Sequence, residues 1–246
     1  LGYRSLLYPA PPAVEWQLDA SDRAAGALVL DLVASDGVPV EAALFPAPSN
    51  AKTIVYLHGN GETAAGSLDL ARAIRARGLG VALVEYRGYG HRRDTSPDEE
   101  GLYRDATAVL DELAHRGVQR AAILLWGTSL GTGLATELAT RGRASALILT
   151  SPYTSIPALA QRILPFLPMS LLIGDHFDNL AKAPSLSLPT LVIHGTADAL
   201  IPFAMGSELA ATIPGAHLLP IPEGGHNDLL CRARTAILDA VVELTL

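Results

Sequence analysis

A single cysteine, Cys231, leaves no partner for an internal disulfide and too few thiolates for a cysteine-based zinc cage. Lysine is nearly as scarce: Lys52 and Lys182 are the only two, and the rest of the 18 basic residues are arginines. Lysine-centred covalent chemistry therefore has few places to sit. Charged residues make up only 17% of the chain, and 25 acidic residues against 18 basic ones give a net charge of −7. Nucleic acid is not an expected partner, because neutralising phosphates needs surplus Lys and Arg. No uncharged apolar run reaches the roughly 18 residues of a membrane-spanning helix. The nearest run, 163–173, is short and carries Pro165 and Pro168. No H-E-x-x-H or similar ligand spacing, P-loop or dinucleotide fingerprint occurs, so neither a metal nor a cofactor is expected. An initial methionine is missing too. The opening at Leu1 is read as a trimmed N-terminus, with any signal peptide or anchor lost upstream, which leaves the compartment open.

Apolar residues, by contrast, reach 49%, enough for a sizeable core. At about 150 residues per domain, 246 residues make one large domain or two small ones. Segments 28–34 and 38–45, joined through Asp36-Gly37, read as a hairpin. Further strands are expected at 53–57, 81–85, 121–126, 145–150, 190–193 and 217–221, and helices at 66–77, 99–116, 130–141, 203–212 and 228–244. Continuous Val/Ile/Leu runs suit strands buried on both faces, which predicts an α/β class with a mostly parallel sheet of about eight strands and helices on both faces. The rhythm breaks at 152–188, with prolines at 152, 157, 165, 168 and 184. That stretch is too long for an ordinary connection and is expected as a small helical cap insertion in one domain spanning 1–246.

The sharpest signal is Gly127-Thr-Ser129-Leu-Gly131, directly after a strand and before a helix. This G-x-S-x-G pattern lifts a serine onto a strained turn, and its glycines let strand and helix approach. A serine hydroxyl needs a neighbouring base to take its proton. Of the seven histidines, His115 falls in a solvated helix turn, while His58 and His194 sit in His-Gly pairs suited to backbone-bonded structural roles. His226, in the glycine-rich loop after the last strand, is the candidate base. Its acid partner is expected to be Asp198, after the penultimate strand, although an aspartate there also suits an Asx turn or a helix cap. Asp175 and Asp178 are the reserve acids. Leu130, following the serine at the helix start, offers a backbone N–H to an oxyanion.

The motifs His58-Gly-Asn60, Tyr86-Arg-Gly-Tyr-Gly90, Gly127-Thr-Ser-Leu-Gly131, His194-Gly-Thr-Ala-Asp198 and Gly225-His-Asn-Asp228 stand in the order found in α/β-hydrolases. The chain resembles that superfamily from near its first strand to its end, and is most similar to the small branch that includes the α/β-hydrolase-domain depalmitoylases. The resemblance implies a second oxyanion donor, the backbone N–H of Asn60 between Gly59 and Gly61. It also implies membrane association through a segment ahead of Arg4-Ser-Leu-Leu-Tyr-Pro9, since relatives often carry one there. One departure is Thr132, which adds bulk at the first helical turn where a glycine is common.

The expected activity is that of a cofactor-free serine hydrolase acting on a small-molecule or acyl substrate, a carboxylic ester or thioester. Ser129, His226 and Asp198 form the triad, and Asn60 with Leu130 forms the oxyanion hole. A peptidase or amidase, or a non-catalytic ligand-binding protein of the same fold, remains open. Apolar residues of the insertion (Ile156, Leu159, Ile163, Leu164, Phe166, Leu167, Met169, Leu171 and Leu172) are expected either to line an acyl pocket or to pack the insertion onto the body. Arg87 is expected to tie down its loop rather than bind a substrate carboxylate. Arg92, Arg93 and Asp94 read as a solvated face, and Cys231 as a small buried residue of the closing helix.

Overall fold

Strand and helix alternate along the chain as the hydrophobic runs dictate. The computed structural model describes residues 3–48, 51–91 and 94–245. Arg92 and Arg93 lie outside the described residues, while Asp94 is exposed. Two compact units are present: Leu1–Leu125 with Arg143–Ser145, and Trp126–Gly142 with Ala146–Leu246.

In the first unit, β1 (Leu28–Val33) and β2 (Pro39–Phe45) form the hairpin, with Leu28 opposite Leu44 and Val33 opposite Pro39. Strand β2 pairs antiparallel with β4 (Gly80–Glu85), and β4 pairs parallel with β3 (Thr53–Leu57), in the order β1-β2-β4-β3. Every residue of β3 and β4 is buried, as their unbroken apolar runs require. Two short helices, α1 (Arg4–Leu7) and α2 (Ala20–Ala24), precede the hairpin, and α3 (Leu68–Arg75) packs on β4. Helix α4 (Glu99–His115) also packs on β4, through a buried face of Leu102, Ala106, Val109, Leu110 and Leu113. The Asp98 carboxylate caps its start, accepting the Gly101 N–H at 2.7 Å.

The loop after β4 is clamped by Arg87. Its guanidinium reaches Asp36 Oδ2 and Asp105 Oδ1, both at 2.7 Å, and its backbone N–H donates to Asp105 Oδ2 at 2.8 Å. The tie-down reading of Arg87 accounts for all of these bonds.

Strand β5 (Ile123–Thr128) leads from the first unit into the second. It starts later than expected, because Ala121 and Ala122 belong to a 3₁₀ turn, Arg120–Ala122. In the second unit β6 (Ala146–Thr150), β7 (Thr190–Gly195) and β8 (His217–Ile221) run parallel in that order. Helix α5 (Gly131–Thr140) follows β5, α9 (Phe203–Thr212) links β7 to β8, and α10 (Leu229–Glu243) closes the chain. Between β6 and β7 lie α6 (Ile156–Ile163), α7 (Met169–Leu172) and α8 (Asn179–Lys182). Cys231 lies on α10 but is exposed, contrary to expectation. The helix buries Leu229, Ile237, Leu238 and Val241, but its backbone leaves the helical conformation at Ala233 (φ −136°), so the buried face of the later turns does not continue in register back to residue 231.

Six of the insertion's apolar residues also depart from expectation. Ile163, Leu164, Phe166, Leu167, Leu171 and Leu172 are all exposed, neither lining a closed pocket nor packing onto the body. Ile156 and Met169 are buried, and Leu159 is half-buried. Alternating prolines and short helices turn one side of the segment inward and leave the other in solvent.

Candidate active site

Ser129 sits between β5 and α5 with φ of +49°, a left-handed conformation that costs a side-chain-bearing residue energy. Its neighbours hold it there. The Ser129 N–H donates to the Thr150 carbonyl at the end of β6 (2.9 Å), and the Ser129 carbonyl accepts from Thr132 N (3.0 Å) and Thr132 Oγ1 (2.6 Å). A Cβ on Gly127 would overlap the Gly131 carbonyl, so strand and helix cross this closely only through glycine. The bulk of Thr132 is accommodated rather than disruptive. Its side chain is buried, and its hydroxyl also lies 3.4 Å from Nδ2 of buried Asn179 at the start of α8.

The loops after β7 and β8 are laced together. Ala197 N–H donates to Gly224 O at 2.9 Å, Thr196 N–H to Ile221 O at 3.0 Å, and Glu223 N–H to Thr196 Oγ1 at 2.9 Å. Gly195 has no room for a Cβ beside the Gly224 carbonyl. The Asp228 carboxylate bends the second loop by accepting the Gly225 N–H at 2.7 Å. As a result His226 stands between the other two side chains: Nδ1 is 2.7 Å from Asp198 Oδ2 and Nε2 is 3.1 Å from Ser129 Oγ.

The donors and acceptors fix the proton arrangement. A carboxylate accepts from Nδ1–H, which leaves Nε2 bare to accept the serine hydroxyl proton. Asp198 satisfies both roles a loop aspartate can take, one on each oxygen. Its Oδ1 accepts the N–H groups of Leu200 (2.9 Å) and Ile201 (2.8 Å), the Asx-turn role, while Oδ2 faces His226. Burial pushes the Asp198 carboxyl upward, but hydrogen bonds from His194, His226 and the Ile201 N–H outweigh it and hold the group well below the usual carboxylate range. Asp198 is thus an anion at any pH near neutrality. The reserve acids are engaged elsewhere: Asp178 caps α8 by accepting Ala181 N–H at 2.9 Å, and Asp175 is buried with partners of its own.

Sequence reasoning gave His194 a backbone-bonded role, and its Nε2–H does donate to the Ile201 carbonyl at 2.9 Å. The same nitrogen lies 3.5 Å from Asp198 Oδ2, which makes this buried imidazole a second neighbour of the acid. The spacing His194-x-x-x-Asp198 was visible in the sequence; the shared partner Ile201 was not.

Leu130 is the half-helical residue at the start of α5, where first-turn N–H groups lack intrahelical partners. Its carbonyl accepts from Gly133 N (3.1 Å) and the Tyr153 hydroxyl (3.2 Å). Asn60 belongs to the first unit. Its side chain is committed at both ends, with Nδ2 donating to the Leu7 carbonyl and Oδ1 accepting from the Tyr89 hydroxyl at 2.5 Å. Behind it, buried His58 bridges the Gly59 carbonyl (2.9 Å) and Glu85 Oε1 (3.1 Å). Among the described residues no cluster of His, Cys, Asp and Glu is placed to hold a metal, and no helix is long and apolar enough to cross a membrane.

Residues 48–181, more than half of the chain, match a family model described as serine aminopeptidase, S33, and residues 175–244 match one described as TAP-like protein. An uncharacterized protein of Mycobacterium tuberculosis is 33% identical over 210 residues, 84% of this chain and 74% of its own length. The lysophosphatidylserine lipase ABHD12 of Rattus norvegicus is 34% identical over 181 residues, 65% of this chain but 45% of that protein. Among solved structures, an esterase of Pyrococcus furiosus matches with a TM-score of 0.78 over 96% of both chains, at 17% identity, a likeness of fold. In sequence and in its eight-stranded, mostly parallel α/β fold, the chain belongs to the α/β-hydrolase superfamily.

Proposed function

We propose that this hydrolase cleaves carboxylic esters or thioesters through a covalent acyl-enzyme on Ser129. The observation that carries the reading is the continuous relay Asp198–His226–Ser129, with contacts of 2.7 and 3.1 Å. Ser129 Oγ attacks the acyl carbonyl while its proton passes to His226 Nε2. The charge this creates on the imidazole is balanced by the Asp198 carboxylate. Collapse of the tetrahedral intermediate breaks the bond to the leaving alcohol or thiol, which takes the proton from His226. Water then repeats the sequence on the acyl-enzyme, releasing the acid and restoring Ser129. The N–H groups of Leu130 and Asn60 are the proposed oxyanion donors. The lipase and esterase among the similar proteins support an ester substrate.

A second reading, cleavage of peptide or amide bonds, is favoured by the aminopeptidase description of the matching family model. The two share the acyl-enzyme and differ in the leaving group. A fluorophosphonate probe is expected to label the wild type and not Ser129→Ala; unlabelled wild type would overturn the acyl-enzyme mechanism and leave a ligand-binding role. Matched ester and anilide substrates then separate the readings, with the ester turned over faster if the proposal holds.

A further inference from the structure

The tip of the insertion carries a run of large apolar side chains that face solvent. From Ile163 to Ile173 there is no charged residue. Phe166 is 96% exposed, Leu171 83% and Ile163 69%, with Leu164, Leu167 and Leu172 exposed beside them. Beneath this tip, Ile156, Met169 and Ile173 are buried and anchor it.

The backbone of the tip needs little from water. Leu164 N–H donates to Ala160 O (3.0 Å), Leu167 to Leu164 O (3.2 Å), Met169 to Leu167 O (2.9 Å), Leu171 to Pro168 O (2.9 Å) and Ile173 to Met169 O (3.0 Å). Pro165 and Pro168 have no N–H to satisfy. The Gln161 amide occupies the centre: Nε2 donates to the carbonyls of Leu164 (3.3 Å) and Pro165 (2.8 Å), and Oε1 accepts the Met169 N–H (3.2 Å). Unpaired backbone groups are what normally keep a loop out of an apolar phase, because each costs several kcal/mol there. Here most of the N–H groups, the backbone donors, are already paired inside the loop.

This chemistry favours lipid over protein. Protein interfaces concentrate binding in Tyr, Trp and Arg and add hydrogen bonds around an apolar centre. The tip offers aliphatic side chains, one Phe, and backbone groups turned in on themselves. At its base stands exposed Arg162, placed to snorkel toward phosphate headgroups. The insertion also starts at the edge that carries the relay. It follows Thr150, whose carbonyl accepts the Ser129 N–H, and β6 runs parallel to β7 and β8, whose following loops carry Asp198 and His226.

We propose that residues 163–172 dock this protein on a phospholipid surface by inserting their exposed apolar side chains, those of Ile163, Leu164, Phe166, Leu167, Leu171 and Leu172, into the interfacial layer. This goes beyond the hydrolase reading and holds whether or not Ser129 is the nucleophile. The test is co-sedimentation of the full chain with phosphatidylcholine vesicles, using wild type, Ser129→Ala and the double variant Phe166→Ser/Leu171→Ser. Both relay-intact and Ser129→Ala proteins are expected to partition alike, with little change between about 0.1 and about 0.5 M salt, since the contact is apolar. The double variant is expected to lose roughly tenfold or more of its partitioning, while its thermal unfolding midpoint matches wild type. Wild type left in the supernatant, equal partitioning by the double variant, or binding that needs anionic lipid and vanishes in salt would each overturn the proposal. So would a wild-type dimer, made monomeric by the double variant, with no vesicle binding; that result would assign the tip to a second copy of the chain.

Discussion

Ser129 and His194 carry opposite kinds of cost. The left-handed φ of +49° at Ser129 is strain that the fold sustains through Thr150, Thr132 and the glycine crossing. Its source is the Cβ, so removing only the hydroxyl leaves it in place. Ser129→Gly is therefore expected to be more stable than Ser129→Ala by about 1–2 kcal/mol in urea unfolding. Equal midpoints would mean the turn relaxes at no cost. His194 carries a hydrogen-bonding role instead. Its Nε2–H holds the Ile201 carbonyl and adds a second donor beside Asp198 Oδ2. A hydrogen bond involving a charged group is worth about 1.5–3 kcal/mol, so His194→Leu should lower kcat by roughly 10- to 100-fold with KM little changed. His194→Gln keeps an Nε2 donor and is expected to recover most of the loss. A raised KM at constant kcat would remove His194 from the relay's support.

At the scale of elements, the close passage of β5 over the start of α5 sets where the serine points. Gly127→Ala places a methyl group into the Gly131 carbonyl. The two elements must then separate, at a cost of about 1–3 kcal/mol. The expected outcome is a lower unfolding midpoint together with loss of fluorophosphonate labelling, since the hydroxyl moves away from His226. A destabilised variant that still labels at the wild-type rate would show that the elbow tolerates the shift. Elements like these were legible where hydrophobic runs end abruptly. Strand β3 at Thr53–Leu57, helix α9 at Phe203–Thr212 and strand β8 at His217–Ile221 match their expected ranges end to end. Ala121 and Ala122 did not, because alanine carries no periodic signal that separates a strand from a 3₁₀ turn. The loops bearing Ser129, Asp198 and His226 could be singled out because each joins a strand to a following helix and holds a reactive side chain among turn residues. The hydroxyl of Thr132, the shared contact of His194 and the outward side of the insertion were hidden. Composition says that 163–173 is apolar; only packing decides which face meets solvent.

Taken over the whole molecule, ionised carboxylates link stability to pH. The Arg72 hydrogen bonds lower the Asp22 carboxyl, and the Arg87 hydrogen bonds hold Asp36 well below the ordinary range. At Asp198 and Glu137 burial raises the carboxyl but hydrogen-bond donors outweigh it, so both also end below their ordinary values. In the unfolded chain such groups take up protons near pH ~4. Below that point the unfolded state binds more protons than the folded one, so acid favours unfolding. The contribution of these groups is complete above pH ~5 and drains away as pH falls toward their folded values. A second effect runs the same way: protonation swings the net charge from −7 to strongly positive, and self-repulsion grows. The two separate in a comparison of wild type with Asp36→Asn, where repulsion is nearly common to both. Asp36→Asn is expected to be less stable than wild type at neutral pH because it loses the ion pair to Arg87. The gap in urea midpoint should narrow as pH drops from about 5 toward about 2, because the unfolded wild-type chain takes up the Asp36 proton near pH ~4 while the folded ion pair still holds the carboxylate ionised. A gap that stays constant across that range would mean that Asp36 stabilises the protein through packing rather than through its charge.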